Sequence, residues 1–277
     1  MITGKTEVLA LIGHPVGHSL SPAMHNAAFA ADGLDYVYVC LDVAPEYLPA
    51  AVKGAAALTL RGFNVTMPHK QAMVGLVDEL DEGASISGAV NTVVVEDGIL
   101  RGYNTDGGGM VLACREAGIE LAGRRALILG AGGAAAAIAL AFGGAGIEEL
   151  HIANRNLDNA TELGDRLRAA GMKKVQAHPL DALEETVPNA DIVVNATSLG
   201  MREDDPLPLP AGYVKEGRAF CEAVYRPGAR TALVRLAQER GARVVAGDRM
   251  LLYQGVLAQK LWTGREPNVG AMDRALS

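Results

Sequence analysis

The stretch Arg125–Ala135, RALILGAGGAA, decides the fold. A short apolar run of strand character enters a glycine-rich turn, and an alanine-rich helical segment follows at once, which is the context a dinucleotide-binding fingerprint requires. In that reading Gly130 makes the tight turn, Gly132 lets backbone approach a pyrophosphate, and Ala135 takes the third, close-packing position. Ala131, Gly133 and Ala134 complete the turn, where unpaired helix N–H groups and the positive end of the helix dipole meet phosphate. A bare strand-to-helix turn has a similar pattern; the strand before it and the sequence ANRN after the next strand favour a ligand.

Working outward, the next strand is predicted at Glu149–Ala153, and Asn154 and Arg155 stand at its end. An NAD site usually has an acid there to accept from the ribose 2′-hydroxyl. A guanidinium at that place pairs with a 2′-phosphate instead, so NADP is the expected cofactor. Strands over Asp191–Asn195, Ala219–Glu222 and Arg243–Ala246 extend the same sheet, and a helix over Asp106–Ala117 leads into it. Toward the N-terminus, strands are predicted at Glu7–Ile12, Tyr36–Leu41, Gly62–Val65 and Asn91–Glu96. Helices are predicted at Pro22–Ala31, Pro45–Ala57 and Pro68–Leu80, each with proline near its first turn. The pattern is α/β with largely parallel sheets, arranged as two domains: an N-terminal α/β domain and a Rossmann-like dinucleotide-binding domain. Two further helices, Met250–Thr263 and Pro267–Leu276, are able to pack on either.

Composition narrows the partners. The 277 residues carry a net charge of −7 and contain no run of five basic residues, which argues against nucleic acid and anionic membrane surfaces. Glycines break the apolar stretches before they reach the roughly 20 residues of a membrane span. No leader pattern precedes the first strand, and three separated cysteines suggest neither a disulfide frame nor a CxxC metal site, so a cytoplasmic protein is expected.

Two further turns carry chemistry. GFNVTMPHK, Gly62–Lys70, puts Thr66 and Lys70 beside one strand end, with Lys70 at the start of the predicted helix, where the dipole disfavours a cation. GYNTDG, Gly102–Gly107, supplies Asp106 at another strand-to-helix turn. Lys70 and Asp106 suit a proton-relaying pair if the turns converge; a solvated lysine and a helix N-cap are the plainer alternatives. In GHPVGHSLSPAMHN, Gly13–Asn26, the hydroxyls of Ser19 and Ser21 suit a small carboxylate, and Ser21 also suits an N-cap before Pro22. The histidines there lack an acid to complete a ligand set, and no metal is expected.

Taken together, GHPVGHSLSPAMHN, NVTMPHK, GAVNT, NTDG, GAGGAA, ANR, NATSLGM, VYRPGART and MLLYQG, in that order, resemble the shikimate/quinate dehydrogenase family over nearly the whole chain. The resemblance implies NADPH-dependent reduction of 3-dehydroshikimate to shikimate, in chorismate and aromatic amino-acid synthesis. It implies that Lys70 and Asp106 are catalytic, that Ser19, Ser21 and Tyr225 hold the substrate carboxylate, and that Thr66, Asn91 and Gln254 line the pocket. Gly130, Ala131, Gly132, Gly133, Ala134, Asn154, Arg155, Thr197, Ala223 and Gly247 are the implied cofactor contacts. The implied domains are 1–105 with the C-terminal helices from about 249 to 277 for substrate, and 106–248 for NADP. A small-molecule substrate is the implied partner, for a monomer or homodimer. Asn156 and Asn159 stand where the family usually has threonine and often arginine, which weakens the implied 2′-phosphate clamp. Ala246–Arg249 replaces a usual DGLG, and Ala223 a bulkier residue. A relative that also oxidises quinate, or uses NAD, is the second reading; a non-catalytic dinucleotide sensor is the third and requires a lost catalytic group, whereas Lys70 and Asp106 are both present.

Overall fold

A computed structural model describes residues 2–276, the side chains of residues 185 and 186 apart. The chain divides into two compact units, Met1–Thr105 with Gln254–Ser277, and Asp106–Tyr253.

The first unit contains β1 (Glu7–Gly13), α1 (Ser21–Ala31), β2 (Tyr36–Asp42), α2 (Leu48–Ala57), β3 (Gly62–Val65), β4 (Glu79–Leu80), α3 (Glu82–Ser87), β5 (Thr92–Glu96) and β6 (Ile99–Tyr103). Its sheet runs β2-β1-β3-β5-β6-β4. The first three strands are parallel, but β5 is antiparallel to both neighbours, so this sheet is mixed. Asp97 and Gly98 both take positive φ, 53° and 79°, the left-handed pair that closes a tight hairpin and sends the chain back as β6. That reversal matters for the site. With Asn64 opposite Thr92 and Thr92 opposite Tyr103, the start of β5 lies level with the ends of β3 and β6.

The helix expected over Pro68–Leu80 does not form. The carbonyl of Lys70, which a helix would commit to residue 74, instead accepts from the Val90 N–H at 2.8 Å. Val74 and Leu76 then bond three residues back, to Gln71 and Met73, and only a 3₁₀ turn, Ala72–Gly75, results before β4. Lys70 therefore sits in an irregular turn rather than at a helix N-terminus, and the dipole argument does not apply to it. Ser21 is likewise not an N-cap: it is the first residue of α1, and its own N–H donates to Ser19 Oγ at 3.2 Å.

The second unit contains α4 (Asp106–Glu116), β7 (Arg125–Leu129), α5 (Gly133–Gly144), β8 (Glu149–Asn154), α6 (Leu157–Ala169), β9 (Val175–Pro179), α7 (Leu183–Thr186), β10 (Ile192–Asn195), β11 (Ala219–Glu222), α8 (Ala232–Glu239) and β12 (Arg243–Val245). The strand order is β12-β11-β10-β7-β8-β9, with every pair parallel. Both faces are covered. Ile128, Ile152 and Val194 pack on one side, and Leu127, Val193 and Phe220 on the other. The winding reverses between β7 and β10, which opens a crevice at their C-terminal ends. The glycine triplet opening α4 has a packing reason: a Cβ on Gly107 would run into the Ala137 carbonyl of α5. Alanines on α5 and glycines on α4 thus let two helices approach closely.

Helix α9 (Gly247–Thr263) starts in the second unit, and from Gln254 onward it belongs to the first, as does α10 (Val269–Arg274). Trp262 of α9 is fully buried and donates Nε1–H to the Val93 carbonyl at 2.9 Å; a Cβ on Gly62 would block it. Gly255 similarly leaves room for Met24 of α1.

Candidate functional site

In the first unit, amides and hydroxyls gather at the strand ends that the β5 reversal brings level. Asn91, 2% exposed, is the hub. Its Oδ1 accepts from the Thr105 N–H at 2.8 Å and from Thr92 Oγ1 at 2.9 Å. Its Nδ2 donates to Thr105 Oγ1 at 2.9 Å and to Gln254 Oε1 at 3.4 Å. Behind it, Asn64 Nδ2 donates to the Asn91 carbonyl, and Tyr38 OH donates to Asn64 Oδ1 at 2.7 Å. Buried amides are costly unless paired, so this chain of bonds fixes one orientation for each.

The other expected residues of this unit lie on adjoining loops. Thr66 directly follows β3, half-buried, and Gly13 makes room for it, because a Cβ there would strike the Thr66 methyl. Lys70 is half-buried, and its carbonyl bond to Val90 ties it to the residue before Asn91. His69 Nε2 donates to the Val43 carbonyl at 2.7 Å, which anchors the Lys70 turn from the other side. Ser19 is half-buried and Ser21 buried, joined through the N–H bond above.

In the second unit the glycine turn sits at the reversal of strand order. Gly130 has φ +109°, its N–H donates to the Ala153 carbonyl at 2.8 Å, and a Cβ on it would lie 2.8 Å from the Ala196 carbonyl. Gly132 precedes α5, and a Cβ there would meet nothing within 4 Å; Ala131, Gly133 and Ala134 are half-buried beside it. An open backbone edge at the N-terminus of a twelve-residue helix fits a pyrophosphate. At the end of β8, Asn154 Nδ2 donates to the Asn156 carbonyl, and Asn156 Oδ1 caps α6 by accepting from Asp158 N–H, both at 2.9 Å. Arg155 is exposed and has no ion-pair partner among the described residues, so its guanidinium fits a 2′-phosphate.

Beyond β10 and β11 lies a buried network that the sequence reading missed. Asn195 Oδ1 accepts from the Thr197 N–H and hydroxyl, while Asn195 Nδ2 donates to the Leu199 carbonyl and, at 2.7 Å, to Glu222 Oε1. Glu222 is 1% exposed, and burial pushes its carboxyl up to about 7. A carboxylate closing an otherwise apolar strand, AFCE, next to the glycine-turn sheet was the available clue. Thr105, overlooked in the first unit, had its own clue within NTDG. Ala223 and Tyr225 are half-buried on the loop after β11. Gly247 opens α9 against this loop, where a Cβ would overlap the Val224 carbonyl. Asp106 is buried as the first residue of α4.

A Rossmann-type parallel sheet with its glycine turn at the switch point, together with a separate mixed sheet ending in amides and hydroxyls, defines a two-unit α/β protein of the dinucleotide-binding class. The family description "Shikimate dehydrogenase substrate binding domain" matches residues 11–93, "Shikimate / quinate 5-dehydrogenase" residues 111–201, and "Shikimate 5'-dehydrogenase C-terminal domain" residues 249–276. The chain is 61% identical over 277 residues to the shikimate dehydrogenase (NADP(+)) of Rubrobacter xylanophilus, covering 100% of this chain and 97% of that protein. It superposes with TM-score 0.86 and 39% identity on a Thermus thermophilus shikimate 5-dehydrogenase in complex with NADP(H) and shikimate, covering 98% of each chain. It also superposes with TM-score 0.89 and 32% identity on a Corynebacterium glutamicum quinate dehydrogenase in complex with NAD, again over 98% of each. The chain belongs to the shikimate dehydrogenase family.

Proposed function

We propose that the protein is an NADP-dependent oxidoreductase that reversibly reduces 3-dehydroshikimate to shikimate in chorismate and aromatic amino-acid synthesis. What carries the reading is full-length likeness at 61% identity to a shikimate dehydrogenase (NADP(+)), together with Lys70, Asp106 and Arg155 in the segments NVTMPHK, NTDG and ANR. The first unit binds substrate and the second the cofactor, which brings a hydride donor when bound. Gly130–Ala134 receive the pyrophosphate, Asn154 and Arg155 the 2′-phosphate end, and Thr197, Ala223 and Gly247 the nicotinamide end.

Ser19, Ser21 and Tyr225 hold the substrate carboxylate, while Thr66, Asn91 and Gln254 orient its oxygens. As the ketone oxygen gains charge it requires a proton, which Lys70 donates, with Asp106 orienting the ammonium. In the oxidative direction the same lysine accepts the proton. The substrate is a small molecule. No described helix is long and apolar enough to cross a membrane. The reading adopted is a cytoplasmic enzyme, monomer or homodimer.

One observation favours relaxed cofactor choice: Asn156 is committed to capping α6 and Asn159 is uncharged, which leaves Arg155 as the cation of the 2′-phosphate clamp. Initial rates on shikimate and quinate, each with NADP⁺ and NAD⁺, test the readings. The expected result is a kcat/KM preference for shikimate with NADP⁺. Comparable rates with quinate or NAD⁺ would move the assignment to the broad-specificity relative, and absence of turnover on any pair would overturn it.

A further inference from the structure

Glu222 lies behind two loops rather than on their surface. Its Oε1 accepts from Asn195 Nδ2 at 2.7 Å and from the Val224 N–H at 3.3 Å, and its Oε2 accepts from Thr231 Oγ1 at 3.0 Å. The three donors come from the end of β10, the loop after β11 and the N-cap of α8. Asn195 relays the contact, because its Oδ1 is filled by the Thr197 N–H and hydroxyl and its amide is thereby oriented. Thr197 Oγ1 in turn accepts from the Leu199 N–H at 3.1 Å. On the other side, Val224 separates Ala223 from Tyr225. One carboxylate thus sets the backbone position of both segments that the proposed function assigns to the nicotinamide end.

We infer that Glu222 is a positioning residue for cofactor binding: by tying the Asn195–Leu199 turn to the Ala223–Tyr225 loop, it shapes the subsite for the nicotinamide half of the dinucleotide and leaves the adenosine half untouched. The inference rests on the NADP reading above. As a carboxylate Glu222 accepts all three bonds, whereas leucine, of similar size, offers no acceptor to any of the three donors. The 2′-phosphate end is assigned to Asn154 and Arg155, and among the described residues no hydrogen bond joins either to Glu222.

The test compares Glu222→Leu with wild type at pH 8, titrating NADP⁺ and, separately, adenosine 2′,5′-bisphosphate, which lacks the nicotinamide half. The expected result is a three- to tenfold weaker Kd for NADP⁺, with the bisphosphate Kd within twofold of wild type. Equal loss for both nucleotides, or loss for neither, would overturn the inference and leave Glu222 a structural group. If Glu222→Leu does not fold, Asn195→Ala, which removes the donor on the turn, is read by the same split. A wild type that binds neither nucleotide would overturn the NADP reading itself, and this inference with it; a wild type that binds both, beside a variant that shows no split, overturns the inference alone.

Discussion

Lys70 is held by its backbone and not by a helix: Val90 bonds its carbonyl and His69 beside it bonds Val43, so its side chain is presented from a turn pinned at both ends. Removing that side chain leaves the pins in place. Lys70→Ala is therefore expected to lower kcat by about 10²- to 10⁴-fold with only a small change in the KM for shikimate, because the proton moves mainly in the transition state; steady-state kinetics check this, and a near-normal kcat would refute the assigned role. Arg155→Ala is expected to raise the KM for NADP⁺ by about 10- to 100-fold, the loss of hydrogen bonds to a charged group, and to leave the KM for NAD⁺ nearly unchanged. Glu222 gives a stability prediction of defined sign. Its carboxyl titrates near 7 in the folded chain against 4.5 ordinarily, so the folded state holds a proton that the unfolded state has released between these values. The contribution is fully present below pH 4.5 and is lost as pH rises through 7, by about 3 kcal/mol at most. Buried His25, lowered to about 4 by desolvation, acts in the opposite direction, with stability lost as pH falls from 6.5 toward 4. The difference between the denaturation curves of wild type and Glu222→Gln isolates the first effect: the variant should gain on wild type as pH rises from 4.5 to 7, and parallel curves would contradict it.

At the scale of elements, the contact of α4 with α5 positions Asp106, and Gly107 permits it. Gly107→Ala inserts a methyl against the Ala137 carbonyl, and overpacking of this kind costs about 1–3 kcal/mol. Thermal unfolding should show a lowered Tm, and because Asp106 is the adjacent residue, kcat should fall as well. The strand β7, the glycine turn and α5 were readable because local pattern and global role coincide there. So were most of the parallel strands, short β-branched runs between helices. What escaped the reading was set by long-range bonds. Nothing within Pro68–Leu80 reveals that Val90 will claim the Lys70 carbonyl. β9 is an edge strand carrying Gln176 and His178 and ending in Pro179, with little apolar pattern to announce it. β6 did leave a local mark, the Asp97–Gly98 pair between two apolar runs, which is a hairpin signature that went unused. Most of the candidate site was legible as motifs, yet the polar partners that orient it, Asn64, Thr105, Asn195 and Thr231, were not. Buried amides and hydroxyls gain meaning only from what they face.

For the molecule as a whole, the units differ in how the chain builds them. Asp106–Tyr253 is one continuous segment; the first unit is discontinuous and includes Trp262, which shares a buried cluster with Leu9, Phe29 and Tyr38. Deleting residues 254–277 should therefore leave the first unit without part of its core. Amide exchange is expected to show loss of protection in β1–β3 and α1, with protection kept in β7, β8 and β10; uniform protection in the truncated chain would contradict this. Ligand linkage offers a second check. NADP⁺ at 100 times its Kd should stabilise the protein by about 2.7 kcal/mol, read as a rise in unfolding midpoint.

The splitting of α9 between the units also imposes an order in time. On the ribosome, the strands of the first unit emerge early but wait for Gln254, Gly255 and Trp262, which are made only after the whole of the second unit. At about 5–20 residues per second that interval is on the order of ten seconds, during which the nucleotide unit is synthesised and the apolar face awaiting Trp262 stays uncovered. Protecting that face from other nascent chains is then a task for the cell as much as for the sequence.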